Sequence, residues 1–349
     1  MEPPIERYEP AAGMRLYRFP VRVFPGLEAM VHLILAPGFT VLVDTGSGFG
    51  HSNDDLQSGL ELIASGYGEP SRVEDLTHIL VSHGHIDHFG GLSHLRKRCT
   101  AHIVLHELDL PVVTRYAERL EVTAARLDVF LQRAGVSRVT RLGLLEMYRM
   151  TKSLVRGAEV DTVVEGAGGA IGPLRLRHYP GHCPGLMTVQ VGDILLTSDL
   201  VLPRTSPHQS PEELAPYTGL SHYLASVRRL RRERAPRLAL GGHEEAMPDV
   251  HARLDDIERL HAQRLSRVVD FLEREHTISE VSFEIFGSVK GYHVLLALEE
   301  AGAHIEYLLQ RGFVGMVAAS ALEGTAGGAT RYRRSSTRRW EGLRASHEV

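Results

Sequence analysis

Residues 81–91 read VSHGHIDHFGG, placing His83, His85, Asp87 and His88 within one short turn directly after the apolar run Ile79-Leu80-Val81. Imidazole nitrogens and carboxylate oxygens are borderline donors suited to zinc or iron. A strand that ends in a turn aims alternating side chains at one point, as chelation demands, and Phe89-Gly90-Gly91 then opens the next element. One turn cannot fill the coordination of two ions, so other strand ends must supply the rest. His182 in YPGHCPG, Asp199 in LLTSDL and His243 in ALGGHEE each sit just after an apolar run. Together the seven side chains offer five neutral nitrogens and two carboxylates, enough for two divalent ions with one open, water-bearing position. Zinc is the first expectation, with iron or manganese as alternatives. Cys183, beside His182, is expected to be a small packing residue rather than a donor. Tyr217, in the loop PHQSPEELAPYTG, is a candidate substrate contact.

The elements that must position these residues are legible as a pattern. MRLYRF, AMVHLIL and FTVLVDTG (within residues 14–46) predict strands joined by hairpins, and DDLQSGLELIAS (54–65) has helical spacing. Strands are predicted again at LTHILVSH, AHIVLH, GPLRLRHYP, MTVQVG and DILLTSD, then a helix at SHYLASVRRLRRE and a last strand at PRLALGG. Residues 107–156 carry apolar residues at helical intervals and no strand signal, which predicts a helical insertion. Strand pairs separated by helices predict an α/β layered sandwich. Beyond about residue 246 the strands stop. Leu254, Ile257, Leu260, Leu265, Val268 and Leu272 mark an amphipathic helix, and Thr277 with Glu280 forms a capping box for a second. Residues 292–310 predict a third helix, and GMVAASALEGTAGGATRYRRS a β-hairpin around a Gly-rich turn.

Composition narrows the class. The chain has 349 residues, 43% hydrophobic and 23% charged, with a formal net charge of −4, so nothing pulls it globally toward nucleic acid or an anionic membrane. No apolar run reaches the roughly 18 residues of a membrane span, and MEPPIERYEP lacks the apolar core of a signal peptide. The two cysteines, Cys99 and Cys183, are too few for a disulfide framework and suit a reducing cytoplasm, the expected location.

With these motifs in order over about residues 14–245, the chain resembles the metallo-β-lactamase superfamily, and within it the glyoxalase II-like hydrolases. The resemblance implies an αββα sandwich over residues 1–245, interrupted by the insertion at about 107–156. Residues 246–335 resemble the small winged-helix-like domain attached to some superfamily members, including the β-lactamase-like-2 hydrolases, and 336–349 are expected to be a disordered tail. Carried onto this chain, the resemblance implies two divalent metal ions. His83, His85 and His182 would hold one, Asp87, His88 and His243 the other, and Asp199 would bridge them. Asp44 in VLVDTG, which alone reads as a strand-end cap, would orient the ligand loop.

Two cations sharing one water lower its pKa from about 16 toward neutrality, giving a hydroxide that attacks an acyl or phosphoryl centre. Asp87 or Asp199 would relay the proton to the leaving group. Neither G-x-S-x-G nor a phosphate loop competes for the role. The reaction expected first is hydrolysis of a thioester or related acyl ester, of the acyl-CoA or acyl-glutathione type, with a small-molecule acyl partner. Leu, Met and Tyr within residues 142–155 would then either form an apolar lid over the acyl chain or simply pack the insertion onto the sandwich. The alternatives are a phosphodiesterase or single-strand ribonuclease, and a mononuclear-iron sulfur dioxygenase. Nucleic acid is disfavoured because the third C-terminal helix, YHVLLALEEAGAHIEYLLQ, has three glutamates and no Lys or Arg, which fits packing or homodimerisation better. The basic stretch RYRRSSTRR (331–339) is the contrary sign.

Overall fold

Branched and aromatic residues at alternate positions carry the first half of the chain through strands. The computed structural model describes residues 4–317, 328–336, 338 and 340–343. Strands β1 (Glu6–Ala11), β2 (Met14–Phe24), β3 (Leu27–Ala36) and β4 (Phe39–Val43) form an antiparallel meander. Helix α1 (Ser52–Tyr67) crosses over to β5 (His78–Leu80), parallel to β4. Short helices α2 (Ile86–Phe89) and α3 (Leu92–Leu95) lead to β6 (His102–His106). Helices α4 (Leu110–Thr114), α5 (Tyr116–Arg133) and α6 (Arg138–Lys152) fill the stretch predicted to be a helical insertion, and β7 (Thr162–Val164) completes a seven-stranded sheet in the order β1 to β7. Strands β8 (Gly168–Ile171), β9 (Leu174–His178), β10 (Met187–Val191) and β11 (Ile194–Ser198) start a second sheet. After helix α7 (Leu220–Arg231), β12 (Leu238–Gly241) pairs parallel with β11 and β13 (Ala246–Met247) finishes the sheet in the order β13-β12-β11-β10-β9-β8.

Inter-residue contacts divide the chain into two units. The first comprises Met1–Leu120, Lys152–Pro207 and Arg229–Arg253, and the second Glu121–Thr151, His208–Arg228 and Leu254–Val349. Both sheets lie in the first unit. Between them sits one core, with Leu16, Ile34, Val41, Val43 and Leu80 of the first sheet against Leu176, Met187, Val189, Ile194 and Leu196 of the second. On the other face of the first sheet, Leu56, Leu60 and Ile63 of α1 pack on Tyr17, Phe19 and Val21. Burying side chains of this size contributes about 1.5–3 kcal/mol each before entropy is counted. The pleat of β3 shows how one strand serves both layers: Val31, Leu33 and Leu35 face α1, whereas Ile34 faces the second sheet. Gly59 is required in α1, because a Cβ there would lie 2.3 Å from the Phe19 ring.

In the second unit, α8 (Val250–Phe271, with Leu254 its first residue there), α9 (Ile278–Phe286) and α10 (Tyr292–Gln310) are followed by an antiparallel pair, β14 (Val314–Met316) with β15 (Tyr332–Arg334). Leu254, Ile257, Leu265, Val268 and Leu272 are buried as the helical spacing predicts, while Leu260 is only half-buried. The capping box forms: Thr277 Oγ1 accepts from the Glu280 N–H, and the Glu280 carboxylate accepts from the Thr277 N–H. The two strands of the predicted hairpin pair, and its Gly-rich turn (318–327) lies outside the described residues. Of the predicted tail, Trp340 packs edge-on against Phe313 and donates to Ser266, and 337, 339 and 344–349 lie outside the described residues. Among the described residues, no helix is long and apolar enough to cross a membrane.

Candidate metal centre

The parallel pairings bring several strand ends to one place. Asp44 follows β4, the His83–His88 turn follows β5, Asp199 follows β11, and His243 follows β12. His182 lies in the turn between β9 and β10. The structure gathers all seven predicted donor residues into three overlapping sets: His83/His85/His182, His83/His88/Asp199 and Asp87/His88/His243. Within each set the donor atoms lie within 4.8 Å of one another. His83 Nε2 is 3.0 Å from His85 Nδ1. Asp199 Oδ2 lies 3.4 Å from His243 Nε2 and 3.7 Å from both His88 Nε2 and His182 Nε2, so this carboxylate faces imidazoles of both expected sets. Asp87 Oδ2 is 3.5 Å from His243 Nε2 and 3.8 Å from His88 Nε2.

Buried donors left without hydrogen bonds test whether ions fit. His88 Nε2 and Asp199 Oδ1 are buried and have no hydrogen-bond partner among the described residues. A buried polar atom without a partner costs about 1–3 kcal/mol, and a coordinated cation would remove that cost. Donor chemistry and geometry therefore fit divalent ions.

The model of the metallo-β-lactamase superfamily matches residues 25–243, which contain every one of these donors. The chain belongs to that superfamily. The fold agrees. A metallo-β-lactamase family protein from Thermus thermophilus superposes with a TM-score of 0.74 at 24% identity, covering 93% of this chain and 99% of that one. A β-lactamase domain protein from Burkholderia ambifaria gives a TM-score of 0.69 at 23% identity, covering 95% of both chains. No curated protein matches the chain. Superfamily hydrolases typically bind divalent metals, and the histidine–aspartate cluster supplies the donors for them here.

Behind the histidine–aspartate cluster lies a network that aims the rings. Asp44, 2% exposed, accepts from the Ser82 N–H at 2.7 Å, from the Ser82 hydroxyl at 2.8 Å and from His88 Nδ1 at 2.8 Å. Ser198 donates its hydroxyl to Ser82 at 2.7 Å, and His83 Nδ1 lies 3.1 Å from both hydroxyls. With Nδ1 of both rings engaged this way, Nε2 of His83 and of His88 is left to face the centre. His243 is aimed by another contact, its Nδ1 donating to the Glu28 carbonyl at 2.6 Å. Arg18, fully buried, pairs with Glu6 and donates to the carbonyl of Glu244, the residue after His243. Backbone strain collects at the same place: Asp44 (φ 65°), Ser198 (φ 49°) and Glu244 (φ 63°) adopt the left-handed conformation without being glycine. Each such residue costs on the order of 1–3 kcal/mol and persists only where surrounding contacts over-determine it.

The electrostatics follow from burial and proximity. Burial keeps His83 and His85 neutral, well below the ordinary imidazole value. Burial opposes ionisation of Asp87 and Asp199, yet the adjoining His88 and His243 outweigh it and hold both carboxylates below the usual range. Burial likewise opposes charge on His243, but Asp199 and Asp87 raise it to about 10, and His88 is raised by Asp199, Asp44 and Asp87. Without metal, two protonated histidines neutralise the carboxylates. These are the positive charges that cations would replace.

Ser82, Ser198 and Arg18 carry no signal of these roles in the sequence. Short hydroxyls beside ligands and an Arg within a strand carry no local signature. An unusual φ at Ser198 would have signalled strain, but φ is not readable from residue type. Tyr217 belongs to the second unit, exposed, with φ 64° and its ring 5.9 Å from that of His222. Cys183 is a buried free thiol, as a packing residue should be, and burial together with Asp109 pushes it well above the ordinary thiol range.

The second unit holds another buried trio, His261, Glu300 and His304. His304 Nδ1 donates to the Glu300 carbonyl at 2.7 Å and its Nε2 lies 3.2 Å from His261 Nδ1. The Glu300 carboxylate accepts from Arg264 at 3.0 Å and from the Gln209 N–H at 2.7 Å. Its groups satisfy one another and a guanidinium occupies the place of a cation, so the trio is a polar tie between α8 and α10.

Proposed function

We propose that the protein is a dinuclear-metal hydrolase of thioesters or related acyl esters, of the acyl-CoA or acyl-glutathione type. The observation that carries the reading is the gathering of five imidazoles and two carboxylates into three overlapping donor sets of the first unit. His83, His85 and His182 would hold one ion, Asp87, His88 and His243 the other, and Asp199 would lie between them. Two divalent ions in that place would make water a nucleophile at neutral pH and polarise the acyl carbonyl. The residues of the chain do the remainder. Asp44, through Ser82 and Ser198, fixes which ring nitrogens face the substrate. Asp87 is the more accessible carboxylate, 15% exposed at its side chain against 9% for Asp199. With cations in place of the histidine protons, Asp87 would take the proton of the attacking water and pass it to the departing thiolate. Both cysteines are free thiols, which accords with a reducing cytoplasm.

What favours an acyl substrate over RNA is how α10 is used. Glu299 accepts from Ser210 at 2.9 Å, Glu300 from Gln209 and Arg264, and Glu306 from the Glu212 N–H at 2.9 Å. α10 carries no Lys or Arg to meet a phosphate, and its glutamates are spent on packing contacts. Three helices followed by an antiparallel strand pair support the winged-helix-like reading of the chain after β13. The test is thiol release from a panel of acyl-CoA and acyl-glutathione thioesters by zinc-loaded protein. Turnover above roughly 1 s⁻¹ on at least one thioester is expected. Silence across the panel from protein that holds its zinc would sink the acyl assignment.

A further inference from the structure

Asp109 stands just before α4, far along the chain from every expected ligand, and is 1% exposed. Its carboxylate accepts from the Gly84 N–H at 2.7 Å and from the Gly185 N–H at 3.0 Å. The Cys183 thiol donates to the same group at 3.4 Å. Gly84 separates His83 from His85, while Cys183 and Gly185 follow His182. One buried carboxylate thus ties together the two turns that carry His83, His85 and His182. The turns are shaped to admit it: a Cβ on Gly84 would lie 3.0 Å from Asp109 Cγ, and one on Gly185 2.6 Å. Glycine at both positions lets the backbone amides reach the carboxylate, and any side chain would displace it.

We propose that Asp109 is a positioning residue for the three-histidine half of the centre, holding the His83–His85 turn against the His182 turn so that their rings converge before an ion arrives. The proposal rests on the metal-hydrolase reading above. Asp44 reaches His88 directly and His83 through the serines, so it touches both ligand sets, whereas Asp109 touches only the two turns that carry the three-histidine set. Asparagine at position 109 would keep the shape but turn an NH₂ group toward one of the amide donors, leaving that N–H facing a donor. Carboxylates that support metal ligands in this way are typically worth 10- to 100-fold in metal affinity.

Cobalt titration of metal-free protein, followed by its visible ligand-field bands, tests this without recourse to activity. Wild-type protein should bind two cobalt ions with two resolvable spectral signatures. In Asp109→Asn, one site should weaken 10- to 100-fold with an altered spectrum while the other keeps its wild-type affinity. Gly185→Ala, which retains the carboxylate but forces it to move, should weaken the same site, and it carries the test if Asp109→Asn fails to fold. Unchanged affinities and spectra in a folded variant, or equal loss at both sites, would overturn the positioning role. Wild-type protein that binds no cobalt would instead strike the metal-hydrolase reading on which it rests.

Discussion

Asp199→Asn is expected to reduce turnover by on the order of 10³-fold or more while the protein stays folded. Its Oδ2 stands within 3.7 Å of imidazole nitrogens from both expected ligand sets. Asparagine has nearly the same shape but no charge, so two adjacent cations would lose the anion between them. Several kcal/mol of transition-state stabilisation are at stake, and each 1.36 kcal/mol is tenfold in rate. The fold should survive because Asp199 follows the end of β11 and takes part in neither apolar core. Thioester kinetics paired with a thermal melt read both quantities. A variant with wild-type turnover would remove Asp199 from the centre.

Stripping the metal should lower the thermal midpoint by on the order of 10 °C at pH 8, and by much less at pH 6. A ligand present at a thousand times its Kd adds about 4 kcal/mol, and each kcal/mol moves the midpoint of a domain of this size by about 2–4 °C. The pH dependence has a definite sign. In the metal-free protein His88 is raised above its ordinary value and His243 to about 10. Their pairing with Asp87 and Asp199 therefore stabilises the metal-free fold fully below about pH 6.5, and this contribution fades as pH rises through about 10. Cations need those rings deprotonated, so metal affinity climbs over the same interval and each ion bound releases protons. Calorimetry of zinc-loaded and chelator-treated protein at the two pH values checks this. Equal midpoints at pH 8 would show that the cluster holds no ion.

The donor turn was legible because its geometry is local. His83 and His85 lie two apart at the end of a strand, and Asp87 and His88 fall on the first turn of α2, so spacing alone places them together. His182, Asp199 and His243 were legible as strand ends, since apolar runs announce where a strand stops. β1 carries no strand signal, because ERYEPA has no apolar face of its own and is recruited by pairing with β2. Strands β7, β8 and β13 are two to four residues long, too short for period-2 alternation to register. Asp109 in HELDLP reads as an ordinary residue opening a helix, and only tertiary structure reveals which amides it meets. Arg18 shows the same limit: in MRLYRF it occupies a position that alternation assigns to one face, but nothing local says that the face is closed by the turn after His243.

The most direct test of the account is a metal count on zinc-reconstituted protein after exhaustive removal of free ions. Two zinc ions per chain, falling to one or fewer in Asp199→Asn, are predicted. A wild-type chain that retains one ion or none would contradict a dinuclear centre.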